Sequence, residues 1–248
     1  MSNSLDFMNE IAYFYDKICE PCNNERINFL LKYLNNKSNF IDLSCSTGET
    51  IFKLNKNLNC KMTGIDFSEK MIEISKTKNF NNKSQFITLD MNLLSTLNTK
   101  YDVIYSNSIN WNPKLELFIN SLKQMVHCLS SKGIIILDLP YLEEIDLIKH
   151  SEYFHFKSYK NSVIEKFSKY LNVKDESATL FQSYSIFDFK ARNEFRYSCY
   201  LDILKLKIKT INDILNDINL TIEEIFYNYD TDCTKKFNYQ LIIKRKSL

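Results

Sequence analysis

Glycine is scarce in this sequence, which has three glycines among 248 residues. The dinucleotide-binding fingerprint G-x-G-x-x-G places three glycines in a turn between a strand and a helix. The comparable turn here, SCSTGE, has glycine only at Gly48. A nicotinamide-dependent dehydrogenase is therefore not expected.

Histidines and paired cysteines are also few. The chain has three histidines, and its seven cysteines are scattered through predicted core and helix positions. Cys19 and Cys22 form a Cys-x-x-Cys pair, but a zinc site needs a second ligand pair at suitable spacing. The odd number of cysteines is typical of reduced thiols rather than of a disulfide framework. We therefore expect a cytoplasmic protein without a metal site.

An excess of charge of one sign and long apolar runs are both absent. Lys and Arg total 32 against 30 for Asp and Glu, so the net charge is +2, and no strong attraction to nucleic acid or an anionic membrane is indicated. No stretch approaches about 18 uninterrupted apolar residues. With 44% hydrophobic residues, the chain can build one sizeable core and a small subdomain. We expect a monomer or homodimer with neither nucleic-acid nor membrane partners.

What is present is a regular alternation of strand and helix patterns through the first 140 residues. The predicted strands are FIDL, KMTGID, SQFITL, YDVIYSN and GIIILDLP. Helical patterns separate them, including one that Ser68 opens as an N-cap and one from Pro113 to about Leu129. This alternation predicts a parallel sheet with helices on both faces, which is a doubly wound, Rossmann-like α/β fold.

The pattern changes after Pro140. Segments rich in aromatic residues then alternate apolar and polar side chains, which predicts antiparallel strands. A helix near Ile211 to Ile218 and the strands TIEEIFYNY and KFNYQLIIKR close the chain. We therefore predict a mostly parallel seven-stranded sheet in a domain of residues 1–140 and 206–248, with 141–205 as an antiparallel β insertion that caps it.

Three acidic residues occupy comparable places in the predicted sheet: Asp42 closes the first strand, Asp66 closes the second, and Asp90 follows the third. Ligands of open parallel sheets bind beyond the carboxyl ends of the strands, so we expect these carboxylates to face one cleft. They can accept hydrogen bonds from ribose hydroxyls and from an adenine amino group. The loop 44–48 would present backbone amides to a small anionic group. The pattern therefore predicts an adenosine ligand that carries a carboxylate.

The segments FIDLSCSTGE, TGIDFSEKMI, FITLDMNLL, YDVIYSNSIN and SKGIIILDLP resemble, in order and separation, the signature segments of class I S-adenosylmethionine-dependent methyltransferases. The similarity is to the branch with a DxxCGTG loop, an N-terminal "YD" helix (IAYFYDKI here) and a small antiparallel subdomain. That branch includes sugar-nucleotide amino N,N-dimethyltransferases and relatives of glycine N-methyltransferase. The resemblance implies methyl transfer to N or O of a small-molecule acceptor, such as a nucleotide-linked sugar, with S-adenosylhomocysteine as the product.

The resemblance also implies roles for individual residues. The loop after the first strand would wrap the methionine part of the cofactor, Asp66 would bind the ribose, and Asp90 would bind the adenine amino group. Tyr15 and Asn107 would act at the reacting centre. The implied cofactor-binding residues are Tyr15, Asp42, Ser44, Cys45, Ser46, Gly48, Asp66, Phe67, Met71, Asp90, Met91 and Ser106.

Several of these assignments have structural alternatives. Asp42 can order the loop by accepting its amides, and Asp90 can cap a turn. Tyr15 can be a half-buried helix aromatic, and Trp111 can be a core residue instead of a cleft wall.

The sequence also departs from the family pattern at one loop position. The penultimate glycine of the family's loop is Ser46 here. A serine at positive φ costs on the order of 1 kcal/mol, although its hydroxyl can also bond the cofactor. The departure motivates an alternative function, a catalytically weak scaffold that acts as a binding or regulatory partner.

Overall fold

The computed structural model describes residues 4–18, 24–79, 83–111, 114–141, 152–159, 161–190, 192–230 and 238–246. Cys19, Cys22 and Pro113 lie outside these ranges. Eleven strands occur in the described chain: β1 (Asn39–Leu43), β2 (Lys61–Asp66), β3 (Ser84–Thr88), β4 (Tyr101–Ser106), β5 (Leu129–Pro140), β6 (Glu152–Tyr159), β7 (Ser162–Leu171), β8 (Ser177–Asp188), β9 (Asn193–Leu204), β10 (Leu220–Tyr227) and β11 (Asn238–Arg245).

Helices connect the successive strands from β1 to β5, and a further helix connects β9 to β10. The α-helices of the described ranges are α1 (Ser4–Ile11), α2 (Tyr15–Ile18), α3 (Asn24–Leu31), α4 (Glu49–Leu54), α5 (Glu69–Lys78), α6 (Leu115–Cys128) and α7 (Ile208–Asp217). Short 3-10 helices span Ala12–Phe14, Met91–Leu97 and Ile109–Trp111.

The strands form two sheets. The larger one has the order β10-β11-β5-β4-β1-β2-β3, and the smaller one has the order β6-β7-β8-β9. β1 to β5 pair in parallel, whereas β11 runs antiparallel to both of its neighbours. The smaller sheet is antiparallel throughout. The predicted fold class, a mostly parallel seven-stranded sheet with a separate antiparallel β unit, is confirmed.

The central strands are apolar on both faces because both faces are covered. Ile41 of β1 packs in one core cluster with residues of α6 and α7, including Phe118. The adjacent Phe40 packs on the opposite face with residues of α3 and α4, including Phe29. Successive strand residues point to opposite faces, so two covered faces require a continuous apolar run.

Apolar residues recur at helical spacing from Leu5 to Ile18, which predicts one N-terminal helix. The structure divides this segment, because its two ends meet different partners. α1 packs Phe7 and Ile11 against the smaller sheet. α2 instead carries Tyr15 to the loop that follows β1, where its hydroxyl accepts a hydrogen bond from Ser46. The 3-10 turn between α1 and α2 separates these two contacts.

Two local predictions about helix starts have different outcomes. Ser68 caps α5 as predicted, since its hydroxyl accepts a hydrogen bond of 3.2 Å from the amide of Met71. The helix predicted from Pro113 is described from Leu115 onward. The loops after β1, β2, β3 and β4 meet at one end of the larger sheet, and this end holds the candidate site.

Gly64 tests how tightly this end of the sheet is packed. A Cβ at Gly64 would lie 2.7 Å from Cys45 Sγ and 2.9 Å from Ile51 Cδ1. We expect Gly64→Ala to lower the free energy of unfolding by about 1–3 kcal/mol, measured by urea denaturation. The Cys45→Ala background removes the nearest atom, so the same substitution should cost less there. An equal cost in both backgrounds would contradict this account of the packing.

Candidate functional site

A cavity of about 330 Å³ lies at the carboxyl ends of the parallel strands, within the range of ~300–1,000 Å³ usual for small-molecule sites. Many of the residues selected from the sequence line it together: Tyr15, Ser44, Ser46, Asp66, Phe67, Met71, Asp90, Met91 and Asn107. Trp111, for which the sequence left two roles open, lines it as well. The segments therefore meet at one place, although each residue's role stays a prediction.

Four selected residues are not among the described residues that line this cavity: Asp42, Cys45, Gly48 and Ser106. The first two and Ser106 are buried, and Gly48 is the N-cap of α4. Sequence reasoning also missed four lining residues, which are Met8, Leu89, Ser108 and Leu201. Three of these are ordinary apolar residues, and no sequence signal separates them from core residues.

The loop after β1 has an alternating backbone conformation. Ser44, Ser46 and Gly48 have φ values of 71°, 50° and 85°, all in the left-handed region that favours glycine. The sequence identified Ser46 as a departure from the family pattern, and the structure adds Ser44. At Gly48 an added Cβ would lie 2.8 Å from a ring carbon of Phe52. Gly48 therefore meets both a conformational and a packing requirement.

The backbone amides of this loop are largely used within the protein. The amides of Ser44 and Cys45 both donate to the carbonyl of Ile65 at 2.8 Å, and the amide of Gly48 donates to the carbonyl of Cys45 at 2.9 Å. The amide of Ser46 donates to Asp66 Oδ2 at 2.9 Å. The expectation that these amides are presented to an anionic ligand group is therefore wrong for these four residues. The loop has carbonyl oxygens and serine hydroxyls to offer instead.

Asp66 orders the site through both of its carboxylate oxygens. Oδ2 accepts the amide of Ser46, and Oδ1 accepts the amide of Ser68 at the start of α5. Asp66 thus accepts a loop amide, which is the kind of contact that was considered for Asp42. Burial raises the pKa of Asp66 to about 6, although the two amide hydrogen bonds oppose that shift. Each carboxylate oxygen has a second lone pair, so these bonds leave Asp66 able to accept from a ligand in the cavity.

Asp42 lies behind the loop, 2% exposed. Burial raises its pKa to about 8, with Arg26 opposing the shift and Asp66 adding to it. At neutral pH its carboxyl group therefore favours the protonated form. Asp42 is thus a buried group that is not among the described residues lining the cavity.

Asp90 caps a turn and also faces the cavity. Its Oδ1 accepts the amide of Asn92 at 2.8 Å, at the start of the 3-10 helix Met91–Leu97. Its side chain is exposed and lines the cavity. The two roles considered for Asp90, turn cap and ligand contact, are therefore compatible in this geometry.

Polar side chains at the end of β4 and in the segment that follows it include buried groups without hydrogen-bond partners. Among the described residues, the hydroxyls of Ser106 and Ser108 and the amide oxygen of Asn110 are buried and unpaired. Buried polar groups are normally hydrogen-bonded. Ser108 borders the cavity, so its hydroxyl is available to a ligand there.

A second cavity, of about 850 Å³, adjoins the first and shares Asn107 and Trp111 with it. One wall comes from the smaller sheet through Tyr170, Leu180 and Ile203. The opposite wall comes from the larger sheet and its connections. Its described polar residues include Arg26, Asp138, Tyr229 and Asn238.

Asp138 is the centre of the polar wall. It is 4% exposed at the end of β5, and it accepts hydrogen bonds from Tyr105, Tyr229, Asn238 and Gln240 at 2.6–3.2 Å. Arg26 Nε lies 3.4 Å from Asp138 Oδ2 and donates to the Tyr229 hydroxyl at 2.9 Å. Sequence reasoning missed Asp138, although an acid at the end of a predicted strand is the signal that selected Asp42 and Asp66.

Two kinds of feature were not found among the described residues. The described part of the chain contains no cluster of three or more His, Cys, Asp or Glu side chains arranged to hold a metal ion. Within the same residues, none of the helices combines the length and apolarity needed to cross a membrane.

The raised pKa of Asp42 predicts a pH dependence of stability. Below pH 4 both the folded and the unfolded carboxyl groups are protonated. As the pH rises towards 8 the unfolded group loses its proton first, so the free energy of unfolding falls. Between about pH 5 and about pH 8.5 the wild type should lose roughly 2 kcal/mol or more relative to Asp42→Asn, measured by denaturant unfolding. Asp213→Asn, on the exposed face of α7, is the control and should follow the wild type. If the free energy of unfolding changed equally with pH in Asp42→Asn and in the wild type, the raised pKa of Asp42 would be refuted.

Comparison with known proteins identifies the family of this chain. The family model described as "Methyltransferase domain" matches residues 34–193, well over half of the chain. The ribosomal protein L11 methyltransferase of Dictyoglomus turgidum is 26% identical over 125 residues, which cover 50% of this chain and 40% of that protein. The chain thus aligns with less than half the length of this curated relative.

Two solved structures share the fold over nearly the whole chain. An S-adenosylmethionine-dependent methyltransferase from Clostridium acetobutylicum ATCC 824 is 17% identical, with a TM-score of 0.77 over 96% of this chain and 99% of that one. The sugar N-methyltransferase KedS8 from Streptoalloteichus sp ATCC 53650 is 13% identical, with a TM-score of 0.74 over 96% and 92%. Together with the family match, the fold and the site lead to one conclusion: this chain belongs to the class I S-adenosylmethionine-dependent methyltransferases.

Proposed function

We propose that this protein transfers the methyl group of S-adenosylmethionine to a nitrogen or oxygen atom of a small-molecule acceptor, with a sugar-like amine as the favoured class. The observation that carries the proposal is the pair of adjoining cavities. One is lined by the residues selected for the cofactor, the other lies between the two sheets, and Asn107 and Trp111 border both.

The residues of the first cavity fit the cofactor that the family uses. Asp66 and Asp90 supply carboxylate oxygens on neighbouring strand ends, suited to ribose hydroxyls and an adenine amino group. Phe67 is 39% exposed and lines the cavity, so it offers a ring face to a base. The engaged amides of the loop leave carbonyl and hydroxyl oxygens, which suit an ammonium group better than a carboxylate. The unpaired hydroxyl of Ser108 is a further hydrogen-bonding group.

When bound, S-adenosylmethionine supplies an electrophilic methyl group on a sulfonium centre. The protein's contribution is then mainly orientation, because holding two reactants in line replaces a costly encounter in solution. Tyr15 offers an aromatic face on which positive charge is favourable. Asn107, which borders both cavities, has an amide group able to orient an acceptor.

The second cavity suits a polar small molecule. Tyr170, Trp111 and the apolar side chains of the smaller sheet provide flat and apolar contacts, and the opposite wall provides polar ones. The similar fold of a sugar N-methyltransferase supports a sugar-like acceptor. Because Asp138 already accepts four hydrogen bonds and lies beside Arg26, it is an anchor and not a general base. A neutral amine needs little help from a base, so nitrogen is the favoured atom.

No observation among the described residues favours the alternative, a scaffold with weak or absent catalysis. Its motive was the serine in the cofactor loop. In the structure Ser44 and Ser46 both adopt the left-handed conformation, and the cavity beside them remains open.

Cofactor binding tests the first part of the proposal. Titration with S-adenosylhomocysteine, followed by calorimetry or by the fluorescence of Trp111, the chain's single tryptophan, should show saturable binding. Asp66→Asn should weaken it about 10-fold or more, because a charged acceptor contributes strongly to a buried hydrogen bond. Asp213→Asn is the matched control and should bind like the wild type. No binding to the wild type at high micromolar ligand would refute the proposed function.

Acceptor selectivity tests the second part. We expect S-adenosylhomocysteine to form when the enzyme meets a panel of amino sugars, free and nucleotide-linked, and to form more slowly with the matching hydroxyl sugars. Tyr170→Ala should raise the acceptor KM about 10-fold through lost apolar contact, with the affinity for S-adenosylhomocysteine unchanged. Tyr200→Ala, on the outer face of the smaller sheet, is the control. A Tyr170→Ala variant that loses cofactor affinity instead would contradict the assignment of the second cavity.

A further inference from the structure

Ser46 makes two contacts that link the cofactor loop to other parts of the site. Its amide donates to Asp66 Oδ2 at 2.9 Å, and its hydroxyl donates to the Tyr15 hydroxyl at 3.1 Å. Both Ser46 and Tyr15 line the first cavity. A glycine at this position would keep the amide contact but lose the contact with Tyr15.

The neighbouring residues repeat this pairing. The hydroxyl of Thr47 donates to Asp16, so consecutive loop residues contact consecutive residues of α2. Lys78, at the end of α5, forms an ion pair with Asp16 and donates to the carbonyl of Thr47 at 3.2 Å. The α2 segment is therefore held against the loop at two successive positions, and only the Ser46 position opens on the cavity.

Ser46 adopts a backbone conformation that serine does not favour. Its φ of 50° lies in the left-handed region, which glycine adopts at no steric cost and serine does not. Residues kept in such conformations cluster at functional sites, where the surrounding structure holds them in place. Compared with glycine, serine adds the hydroxyl that donates a hydrogen bond to Tyr15.

We propose that Ser46 is a positioning residue, whose hydroxyl fixes the Tyr15 side chain over the cofactor cavity. The proposal rests on the proposed function, since it assigns Tyr15 to the cofactor. It goes beyond the family pattern, in which a glycine at this position has no side chain for such a contact. The loop of this chain therefore contributes side-chain as well as backbone contacts to the site.

A double-mutant cycle tests the proposal, with dissociation constants for S-adenosylhomocysteine measured by calorimetry. Ser46→Ala and Tyr15→Phe each remove one hydroxyl of the pair, and each should weaken binding about 5-fold. The double variant should bind about as weakly as the weaker single variant, because both changes break the same contact. Tyr13→Phe, at an exposed tyrosine two residues from Tyr15, is the control for loss of a phenolic hydroxyl.

Ser46→Gly separates positioning from a purely structural role. Because glycine relieves the left-handed strain, the ligand-free Ser46→Gly protein should be more stable than Ser46→Ala in denaturant unfolding. It should nevertheless bind S-adenosylhomocysteine as weakly as Ser46→Ala. A structural role alone would improve stability and binding together.

The outcomes distinguish the two proposals. If the wild type binds but the effects of Ser46→Ala and Tyr15→Phe multiply to about 25-fold, the positioning role is overturned and the proposed function stands. The same holds if Ser46→Gly binds as tightly as the wild type. If the wild type does not bind, the proposed function fails, and the positioning role fails with it.

Discussion

The carboxylate of Asp66 is the contact on which the site depends. One oxygen accepts the amide of Ser46 in the loop after β1, and the other accepts the amide of Ser68 at the start of α5. Two elements that are separate in sequence are thus fixed to the end of one strand. Asp66 thus connects the loop, the start of α5 and the first cavity, which it also lines. Because the carboxylate is 5% exposed, its hydrogen bonds are shielded from competing water.

Two of the few glycines occupy positions where a side chain cannot fit. At Gly48 and Gly64 an added Cβ would approach the packed side chains of Phe52 and Cys45 to 2.8 Å and 2.7 Å. Ser44 and Ser46 have positive φ values, as Gly48 does, but both serines line a cavity. The steric requirement for glycine is therefore strict toward the core and relaxed toward the cleft. This explains how a loop with one glycine keeps the shape that its family builds with more.

The sequence predicted the fold and the meeting place of the segments because both depend on local patterns. Apolar runs such as GIIILDLP identify buried strands, and acids at strand ends such as Asp66 follow from the topology of an open parallel sheet. The contacts between distant side chains were not predictable in this way. Asp138 has partners up to 102 positions away, and Asp16 meets Thr47 only because α2 folds back over the loop. The sequence likewise does not show that the amide of Ser46 donates to Asp66, since Asp42 and Asp66 both close a strand.

The two sheets contribute differently to the two cavities. At the strand ends of the larger sheet, the carboxylates of Asp66 and Asp90 accept hydrogen bonds from backbone amides, which fixes their orientation for a ligand of constant shape. The smaller sheet supplies Tyr170, Leu180 and Ile203 to the second cavity, on the wall opposite Asp138. Asp138 closes the opposite wall with hydrogen bonds from four residues, so that wall is fixed. Under the proposed function, the choice of acceptor is therefore expected to depend on the residues that the smaller sheet contributes to this cavity.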